Sequence, residues 1–387
     1  PKLSQKYWIQ ITILHRNQHG FYLSANPNFN NEWFYKKDGI WQSTKTGLEV
    51  PSDRRDHFFR ITDDLNQDSV YYVLIDVSYL NKISSFVPTF RIHNAVTTDE
   101  REWYITLFSA ISIVILLVYF LNIVVEYIML RESTHTYYMA GLVGGLLYVL
   151  SYHSVINLLI DFRFVKVIGA NLNQVFTADF CYIVNRISIM VIGFGIIKLT
   201  TTFLNTEVNL PRWHKVLQYY LLVFLSTNLL SLLLTLCTSF PSDIYFISIS
   251  NIMLIISIVL IIISGILCLK KERKNAALFL IAHLLPFGFI ILTSVYVELN
   301  NVTTIGHLMV PYLTILSVPI GLNTLLTLRV IHVKNTLHEN KILAQKIEMD
   351  NERAKHENEV EKLEKENFKN QLRSEERRVG KECRSRW

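Results

Sequence analysis

The stretch WYITLFSAISIVILLVYFLNIVVEYIM, Trp103–Met129, decides the class of the chain. An α-helix needs about 20 apolar residues to cross the hydrocarbon core of a bilayer, which is about 30 Å thick. This run exceeds that length, and Glu126 is its single charged residue. The sequence therefore predicts a membrane-spanning helix here, and the remaining segments are interpreted relative to it.

Further segments meet the same condition, and polar or charged residues separate them. They are Tyr137–Ile160, Val175–Thr200, Val216–Leu236, Ile244–Leu269, Ala276–Val297 and His307–Leu328. Half of all residues are hydrophobic and the mean hydropathy is +0.27, but the apolar residues concentrate between Tyr104 and Val330. We therefore predict a seven-helix transmembrane domain over residues 101–330, with a polar segment at each end.

Lysine and arginine in the short connections indicate the orientation of this domain. The first, third and fifth connections hold Arg131, Arg212, Lys215, Lys270, Lys271, Arg273 and Lys274. The second holds Arg163 and Lys166, whereas the fourth and sixth hold neither residue type. Because these cations favour the cytoplasmic side, we expect the N-terminal segment outside and the C-terminal segment in the cytoplasm.

Residues 1–100 have a different pattern, in which clusters of Asn, Asp, Gly and Pro separate short aromatic and β-branched runs. The runs are KYWIQITIL, GFYLSA, NEWFYKK, HFFRIT, VYYVLIDV and PTFRIH. Such spacing is typical of an all-β sandwich or barrel, and KKDGIWQ predicts a hairpin with an Asp-Gly turn. The predicted fold is thus an N-terminal all-β sandwich, a seven-helix transmembrane bundle and a C-terminal coiled-coil helix.

The aromatic residues of this first domain suggest a ligand site. Trp33, Tyr35 and Trp41 would form a platform that stacks on a sugar ring. Arg54 or Arg55 would bind an acidic group of the ligand. The competing interpretation places the aromatic residues in the core and the arginines in a solvated loop, and the sequence leaves both open.

Ionisable and amide side chains within the predicted spans are costly in lipid and often functional. The candidates for an intramembrane polar network are Glu126, Asp179, Asn185, Arg186 and His283. Asp179 and Arg186 are seven positions apart, two turns along one face of the third span. Arg186 would belong to a charge network that differs between two receptor states, or it would simply fix the packing of the helices.

Residues 331–372 are charged and helical in character, without Pro or Gly. One heptad frame holds Val330, Val333, Leu337, Ala344, Ile347, Asn351 and Ala354, whereas another is needed for Val360 and Leu363. Asn at a core position weakens a coiled coil and fixes its register. This slipping pattern suits a dimeric signalling coiled coil, and it is equally typical of an ordinary linker helix.

The last segment, RSEERRVGKECRSRW at Arg373–Trp387, breaks the pattern of the coiled coil. Back-translated with suitable codons, it matches a sequencing-adapter read along its whole length. We therefore interpret residues 373–387 as adapter read-through, to be excluded from fold reasoning as a fusion scar would be. The native protein is expected to continue past Leu372 into an output module.

The order of a β-rich domain, seven spans and a helix resembles the bacterial seven-transmembrane receptors with diverse intracellular signalling modules. Similar segments of the outer domain are KYWIQITI (Lys6–Ile13), WFYKKDGIWQ (Trp33–Gln42), TGLEVPSDRR (Thr46–Arg55) and YYVLIDV (Tyr71–Val77). NAALFLIAHLLPFG and GLNTLLTLRV are similar to the closing pattern of the family. The resemblance covers Tyr7 to Val330. It implies a multi-pass protein of the bacterial plasma membrane, with a jelly-roll-like outer domain similar to carbohydrate-binding modules.

We therefore predict a receptor that senses an extracytoplasmic small-molecule or carbohydrate-like ligand and signals as a homodimer. The expected output module is a histidine kinase of a two-component system, while a cyclase, a phosphatase or a DNA-binding module stays open. The residues present predict no enzyme, cofactor or metal site. They predict no nucleic-acid partner either, since the formal charge of +6 comes partly from the basic tail.

Two other classes of protein are possible at this level. A membrane transporter or channel with an accessory outer domain is the alternative, although it gives no role to the coiled coil. An intramembrane enzyme would need His153, Asp179 and His283 to converge from three spans on one metal ion. The spans contain neither a His-Glu-x-x-His pair nor a Gly-x-Ser-x-Gly elbow.

Overall fold

The computed structural model describes residues 6–13, 20–26, 28, 30–50, 58–61, 69–76, 88–160, 162, 164–171, 174–238, 242–300 and 305–384. The chain forms two compact units, residues 1–323 and residues 324–387. The β-sheets and most of the helices belong to the first unit, and the second consists of the C-terminal part of one long helix.

The N-terminal part of the first unit consists of antiparallel strands, as its aromatic and β-branched runs predict. They are β1 (Lys6–Ile13), β2 (Phe21–Asn26), β3 (Asn31–Lys37), β4 (Ile40–Thr46), β5 (Phe59–Ile61), β6 (Ser69–Asp76) and β7 (Thr89–Asn94). One sheet has the order β1-β6-β3-β4 and another the order β5-β2-β7. Between β3 and β4, Asp38 and Gly39 have φ values of 50° and 81°. Left-handed values at both turn residues are those of a type I′ hairpin, so the predicted Asp-Gly hairpin is confirmed.

The two sheets pack face to face around a common core. Its buried residues are Leu23, Ala25, Trp33, Phe59, Ile61, Tyr71, Val73 and Ile75. Trp33 stacks on Phe59 with the ring centroids 4.9 Å apart, and its indole N–H donates to the Thr46 hydroxyl over 2.8 Å. Because side chains alternate between the two faces of a strand, the residues between these core positions lie on the outer faces.

Strand β7 passes into helix α1 (Ala95–Leu130) without a linker. The side chain of Asn94, the last residue of β7, caps the helix by accepting the N–H of its second residue over 2.9 Å. The first backbone N–H of α1 donates to the Gly20 carbonyl over 3.0 Å. The Tyr22 hydroxyl of β2 donates to Asp99 Oδ1 over 2.8 Å. These bonds fix the first turn of α1 to the sheets.

The helices after α1 account for most of the remaining chain. They are α2 (Ser133–Tyr152), α3 (Ile156–Leu159), α4 (Phe180–Phe203), α5 (Thr206–Asn209), α6 (Pro211–Cys237), α7 (Ser242–Cys268), α8 (Arg273–Asn300) and α9 (Ile305–Arg384). Within the described residues, α1, α4 and α6 are long and apolar enough to cross a membrane. Ile252–Cys268 and Tyr312–Leu328 are shorter apolar helical stretches. The described part thus contains three candidate spans where the sequence predicts seven.

Between α3 and α4 the chain forms an antiparallel hairpin that the sequence analysis does not predict. Its strands are β8 (Val165–Asn171) and β9 (Gln174–Asp179). The predicted bounds of the second and third spans are wrong here, since α2 ends at Tyr152 and α4 begins at Phe180. The backbone leaves the helical conformation after α2, where Ser154 has a left-handed φ of 57°. Further along, the β-branched residues Val165, Val167 and Ile168 of β8 favour a strand over a helix.

Lys166 of β8 fastens this hairpin to the C-terminal end of α6. Its ammonium group donates hydrogen bonds to the carbonyl oxygens of Thr235, Leu236 and Thr238 over 3.0, 2.6 and 2.8 Å. The last carbonyls of a helix have no partner within the helix and carry the negative end of its dipole. A cation at this position therefore stabilises the end of α6 and the hairpin that supplies it.

Helices α2 and α4 approach each other closely at glycine residues. A Cβ atom on Gly195 would lie 2.7 Å from the backbone nitrogen of Gly141. A Cβ atom on Gly144 would lie 2.8 Å from the backbone nitrogen of Ile192. Small residues allow such close contact between helix backbones. Helix α2 also packs on α1, and α4 packs on α6 and α7.

Helix α9 extends over 80 residues. It begins in the first unit and includes the apolar stretch Tyr312–Leu328. In the second unit, the described side chains from Leu337 to Glu375 are exposed in the single chain. The helix continues to Arg384, through most of the segment interpreted as adapter read-through. Its Arg, Lys and Glu residues are strong helix formers, which agrees with this continuation.

Candidate ligand-binding face and polar clusters

The register of the sheet β1-β6-β3-β4 separates its aromatic residues onto two faces. Trp33 is 0% exposed. Tyr35 packs against the same core, with its ring 5.4 Å from that of Phe59. Positions 33 and 35 share the face that covers the other sheet, because side chains alternate along a strand. The prediction of an exposed platform is therefore wrong for both residues, and the core interpretation holds for them.

Trp41 lies on the opposite, outer face, together with aromatic residues that the sequence analysis does not select. Trp41 is 52% exposed, and its ring centroid lies 5.5 Å from that of Tyr72. Trp8 is 61% exposed, and its ring centroid lies 5.0 Å from that of Phe34. The set Trp8, Phe34, Trp41 and Tyr72 is named the aromatic face. It extends across all strands of this sheet, from β1 to β4.

Polar side chains accompany the rings of the aromatic face. Gln10 pairs with Tyr72 and Ser43 pairs with Phe34 in the strand register, and Lys36 pairs with the exposed tryptophan of β4. Residues directly opposite each other in antiparallel strands lie on the same face. Large aromatic rings provide most of the contact area of a binding site, while a few polar groups fix the orientation of the ligand. This arrangement suits a flat ligand with an apolar side and hydroxyl groups at its edge, such as a sugar ring.

The predicted anion-binding residues Arg54 and Arg55 lie outside the described residues. On the described part of the outer face, Lys45 is paired in register with Glu32, so these opposite charges lie next to each other. Lys36 is exposed beside the aromatic face. The described part of this face therefore combines aromatic rings and neutral polar groups with three lysines and two acidic residues, namely Lys6, Lys36, Lys45, Glu32 and Asp76.

The residues predicted to form one intramembrane network lie in separate clusters, of which the first joins α1, α2 and α9. Oε2 of Glu126 lies 3.5 Å from Nε2 of His135, near the start of α2. The amide nitrogen of Asn122, one turn before Glu126, donates to Glu126 Oε1 over 3.3 Å. The same nitrogen donates to Oδ1 of Asn323 in α9, also over 3.3 Å. Through Asn122, the contact between Glu126 and His135 is therefore connected to the helix that continues toward the C-terminus.

The second location is the N-terminal end of α4. Asp179 is the N-cap residue of this helix, and its Oδ1 accepts the backbone N–H of Tyr182 over 2.7 Å. The predicted helical spacing between Asp179 and Arg186 is wrong, since Asp179 precedes the helix. Burial raises the pKa of the Asp179 carboxyl, and the hydrogen bond from Tyr182 opposes this rise. Asn185 donates to the hydroxyl of Ser151 in α2 over 3.4 Å.

Arg186 is buried and connects α4 with α6 and α7. Its Nε donates to the Tyr182 hydroxyl over 3.2 Å, and its Nη1 donates to the hydroxyl of Ser250 in α7 over 3.3 Å. Ser250 donates in turn to Oδ1 of Asn228 in α6 over 2.9 Å. The guanidinium carbon also lies 5.3 Å from the centroid of the Tyr182 ring. These contacts hold three helices together around one guanidinium group.

His283 of α8 belongs to none of these clusters. Its Nδ1 lies 2.8 Å from the backbone oxygen of Phe279, so that Nδ1–H donates to this carbonyl. The imidazole lies against aromatic rings, with centroid distances of 4.1 Å to Phe279 and 5.6 Å to Phe287. It is a packed aromatic residue within its own helix. The described contacts therefore do not form the predicted single network that includes His283.

No group of three or more His, Cys, Asp and Glu side chains is placed to hold a metal ion within the described ranges. An intramembrane metalloenzyme would require His153, Asp179 and His283 to converge. Instead, His153 lies against Tyr312, with the ring centroids 5.7 Å apart, while Asp179 caps α4 and His283 bonds within α8. The geometry therefore does not support this hypothesis.

Trp8, Phe34 and Tyr72 are absent from the predicted site, although strand alternation contains the necessary signal. In KYWIQITI the isoleucines occupy every second position, so Trp8 falls on the opposite face. The same alternation in NEWFYKK separates Phe34 from its two aromatic neighbours. His135 carries no comparable signal, because its contact with Glu126 joins two helices. Asn122 does carry one, since it lies four residues before Glu126 on the same helix, a spacing at which side chains meet.

Comparison of the chain with known protein families, with curated proteins and with solved structures found no match. The geometry alone therefore defines the class of this protein. It is a pair of antiparallel sheets with an exposed aromatic face, joined without a linker to long helices, several of which are apolar.

Proposed function

We propose that the protein is a transmembrane receptor that binds a carbohydrate-like ligand outside the cell and relays this binding to its cytoplasmic helix. The observation that carries the proposal is the direct passage of β7 into α1, reinforced by the Tyr22–Asp99 hydrogen bond. A ligand shifts a two-state equilibrium only by its difference in affinity for the two states. A junction without a linker supports such a relay, because a displacement of the sheets also displaces the start of α1.

The ligand is assigned to the aromatic face of a jelly-roll-like sensor domain. Exposed apolar patches on folded domains commonly mark binding sites. The rings would stack on the apolar sides of sugar units, and Gln10, Ser43 and Lys36 would bind hydroxyl groups. This proposal retains the ligand class implied by the resemblance but moves the site from Trp33 and Tyr35 to the opposite side of the sheet.

The proposed topology has seven spans, with the sheets outside and the C-terminal helix in the bacterial cytoplasm. Helices α1, α4 and α6 are candidate spans, and α2, α7, α8 and the apolar part of α9 would supply the others. On α1 the side chains of Val114, Leu117 and Leu121 are exposed. Contact with lipid accounts for such an apolar surface, which water would disfavour. The cluster of cations between α7 and α8 favours a cytoplasmic position for that connection.

The C-terminal part of α9 would pair with the same helix of a second chain. Leu337, Ile347, Val360 and Leu363 are exposed in the single chain, although leucine, isoleucine and valine are the usual core residues of coiled coils. A parallel homodimer would bury them. The proposed histidine kinase module would follow this coiled coil, so that ligand binding changes the relative position of two kinase modules.

Ligand binding is tested on the full chain in lipid nanodiscs with neutral hexasaccharides of glucose, galactose and N-acetylglucosamine, by calorimetry. Loss of a central tryptophan from an interface commonly costs about 2 kcal/mol, so Trp41→Ala should weaken binding about thirtyfold. Thr44→Ala is the matched control, because Thr44 is exposed on the same strand but alternates to the other side. Equal affinities of the two variants, or no binding of any of these sugars, would remove the support for this ligand class.

The relay is tested by disulfide cross-linking of a chain with a single engineered cysteine at Ile347. The proposal predicts cross-linked dimers whose yield changes when the bound hexasaccharide is added. Deleting residues 2–93 should abolish this change without preventing membrane insertion. A chain that stays monomeric with cysteines at successive positions along the coiled coil would contradict the dimeric receptor.

A further inference from the structure

Strand β4 is an edge of the sheet β1-β6-β3-β4, with no neighbouring strand on its outer side among the described residues. Its side chains from Ile40 to Lys45 are exposed on both faces of the sheet. Native edge strands are commonly protected by proline, a bulge, charged residues or a very short length. β4 has seven residues, no proline and a single charged residue, Lys45, and its register with β3 is continuous. Such an edge is a template for pairing with another strand.

The turn between β3 and β4 determines which backbone groups of β4 point to the free side. In a two-residue hairpin the residues that flank the turn, here Lys37 and Ile40, share hydrogen bonds. Hydrogen-bonded and non-hydrogen-bonded pairs then alternate along an antiparallel ladder. The N–H and C=O groups of Trp41, Ser43 and Lys45 therefore point away from β3. In the part of the chain that the structure describes, these groups have no hydrogen-bond partner.

These three positions are symmetric about Ser43, so a second copy of β4 fits the edge in the antiparallel orientation. Ser43 would pair with Ser43 of the second copy, and Trp41 would pair with Lys45 of the second copy. All of these are hydrogen-bonded pairs, so the outward-pointing N–H and C=O groups of all three residues would gain partners. Directly opposite residues lie on the same face. The ammonium group of Lys45 would thus meet the indole ring of Trp41 in a favourable cation–π contact.

We propose that two copies of this chain pair through β4 and join their four-stranded sheets into one continuous sheet. The pairing is isologous, because the same strand meets itself across a two-fold axis at Ser43. This axis is perpendicular to the sheet, so the two aromatic faces lie on the same side. The proposal goes beyond the receptor function. The pairing rests on β4 alone, whereas its consequence for the ligand, a binding face of twice the width, rests on the proposed ligand site.

The position of α1 agrees with two such chains in one membrane. Leu23 faces the core between the sheets, so Tyr22 faces the opposite side of the second sheet. The Tyr22 hydroxyl bonds there to Asp99 of α1. Helix α1 therefore begins on the side of the sandwich that is opposite to the aromatic face. With the two-fold axis along the membrane normal, both copies of α1 would enter the same bilayer, and the joined aromatic face would point away from it.

The test is disulfide cross-linking of single-cysteine variants of the full chain in lipid nanodiscs, with the chain's own cysteines replaced by serine. Hydrogen-bonded partners have Cα atoms about 5.5 Å apart, which a disulfide can bridge. Ser43→Cys should therefore cross-link. The Trp41 residues of the two copies would be four positions apart along the strands, about 14 Å. Trp41→Cys alone and Lys45→Cys alone should thus cross-link about tenfold less, whereas a mixture of these two variants should restore the cross-link.

Ser43→Pro tests the hydrogen bonds of the edge. Proline removes an N–H that β3 does not use, and edge strands tolerate proline where the N–H faces solvent. In two paired chains this change deletes both hydrogen bonds at the centre. It should lower the yield from the mixture of Trp41→Cys and Lys45→Cys about thirtyfold. Ser43→Ala is the matched control, because alanine keeps the N–H. Hydrogen exchange of the Gln42 N–H, which points to β3, checks that the hairpin is intact in both variants.

Equal cross-linking of all three single-cysteine variants would mean pairing without a fixed register and would overturn the proposal. Absence of these cross-links would also overturn it, and would leave the edge to an extended segment of a different protein. The receptor proposal is judged separately. Cross-links at Ile347 without any at Ser43 would refute the edge pairing alone. Cross-links at Ser43 without any at Ile347 would contradict the coiled-coil dimer and leave the edge pairing standing.

Discussion

Replacing Lys166 by methionine removes the ammonium group from the end of α6 but keeps an apolar side chain of similar length. The ammonium donates to three carbonyl oxygens at distances between 2.6 and 3.0 Å. A hydrogen bond to a charged group contributes about 1.5–3 kcal/mol, and a cation at a helix C-terminus contributes about 0.3–1 kcal/mol. The three bonds share one group, and the carbonyls regain water once it leaves. The contributions therefore do not add, and we expect the free energy of local opening of the hairpin to fall by about 3 kcal/mol.

The assay for this loss is backbone hydrogen exchange of β8 and β9 in the full chain. Exchange through local opening reports the free energy of that opening, so a loss of about 3 kcal/mol should accelerate exchange about a hundredfold. Lys215→Met is the control, because Lys215 is an exposed lysine at the other end of α6. If exchange of the hairpin is as slow in Lys166→Met as in Lys215→Met, these hydrogen bonds do not fasten the hairpin.

Three further predictions use pairs of variants. Trp33→Ala should destabilise the sheets by about 3–5 kcal/mol, since Trp33 is fully buried, whereas Trp41→Ala should change stability by less than about 0.5 kcal/mol. Chemical denaturation measures both changes, and equal losses would contradict the assignment of the two residues to opposite faces. Gly195→Ala should lower the free energy of unfolding by about 1–3 kcal/mol through overpacking against α2. Gly141→Ala should leave it unchanged or raise it by up to about 1 kcal/mol, because a Cβ atom there would have no other atom within 4 Å and alanine has the higher helix propensity. A lower thermal midpoint for Gly141→Ala would contradict the packing described. Asp179→Ala should lose about 1 kcal/mol of capping energy that Asp179→Asn keeps. Because folding raises the pKa of this carboxyl above its usual 3.8, the folded state binds more protons, and the unaltered chain should lose stability as pH rises from 3.8 toward the folded pKa. Asp179→Asn should lack this decrease in thermal denaturation across the same pH range.

Local patterns account for the parts of the fold that the sequence predicts. The Asp-Gly turn requires left-handed backbone at both central residues, and this requirement is visible in two letters of the sequence. The length of the apolar run in α1 likewise predicts a helix long enough to cross a membrane. In contrast, the hairpin β8-β9 contains apolar residues that continue into α4, so composition alone predicts a third span that begins at residue 175. Only the cap formed by Asp179 marks where the helix begins.

The candidate site was predicted in part, and the missing part has a physical explanation. The residue types of NEWFYKK indicate an aromatic surface, but alternation assigns Trp33 and Tyr35 to one face and Phe34 to the other. Which face is buried depends on the second sheet, whose position is a tertiary property. The polar residues of the helices are a similar case, because Arg186 finds Ser250 and Glu126 finds His135 across helix contacts that no local pattern encodes.

Because β7 passes into α1 without a linker, the orientation of the sheets about the helix axis depends on the number of residues at the junction. Because an α-helix advances about 100° per residue, one residue added within the first turn of α1 would swing the sheets about 100° around the helix axis. Four added residues would bring them back to within about 40° of their original heading, displaced by about 6 Å along the axis. The number of residues at the junction therefore sets the orientation of the sheets about the axis of α1.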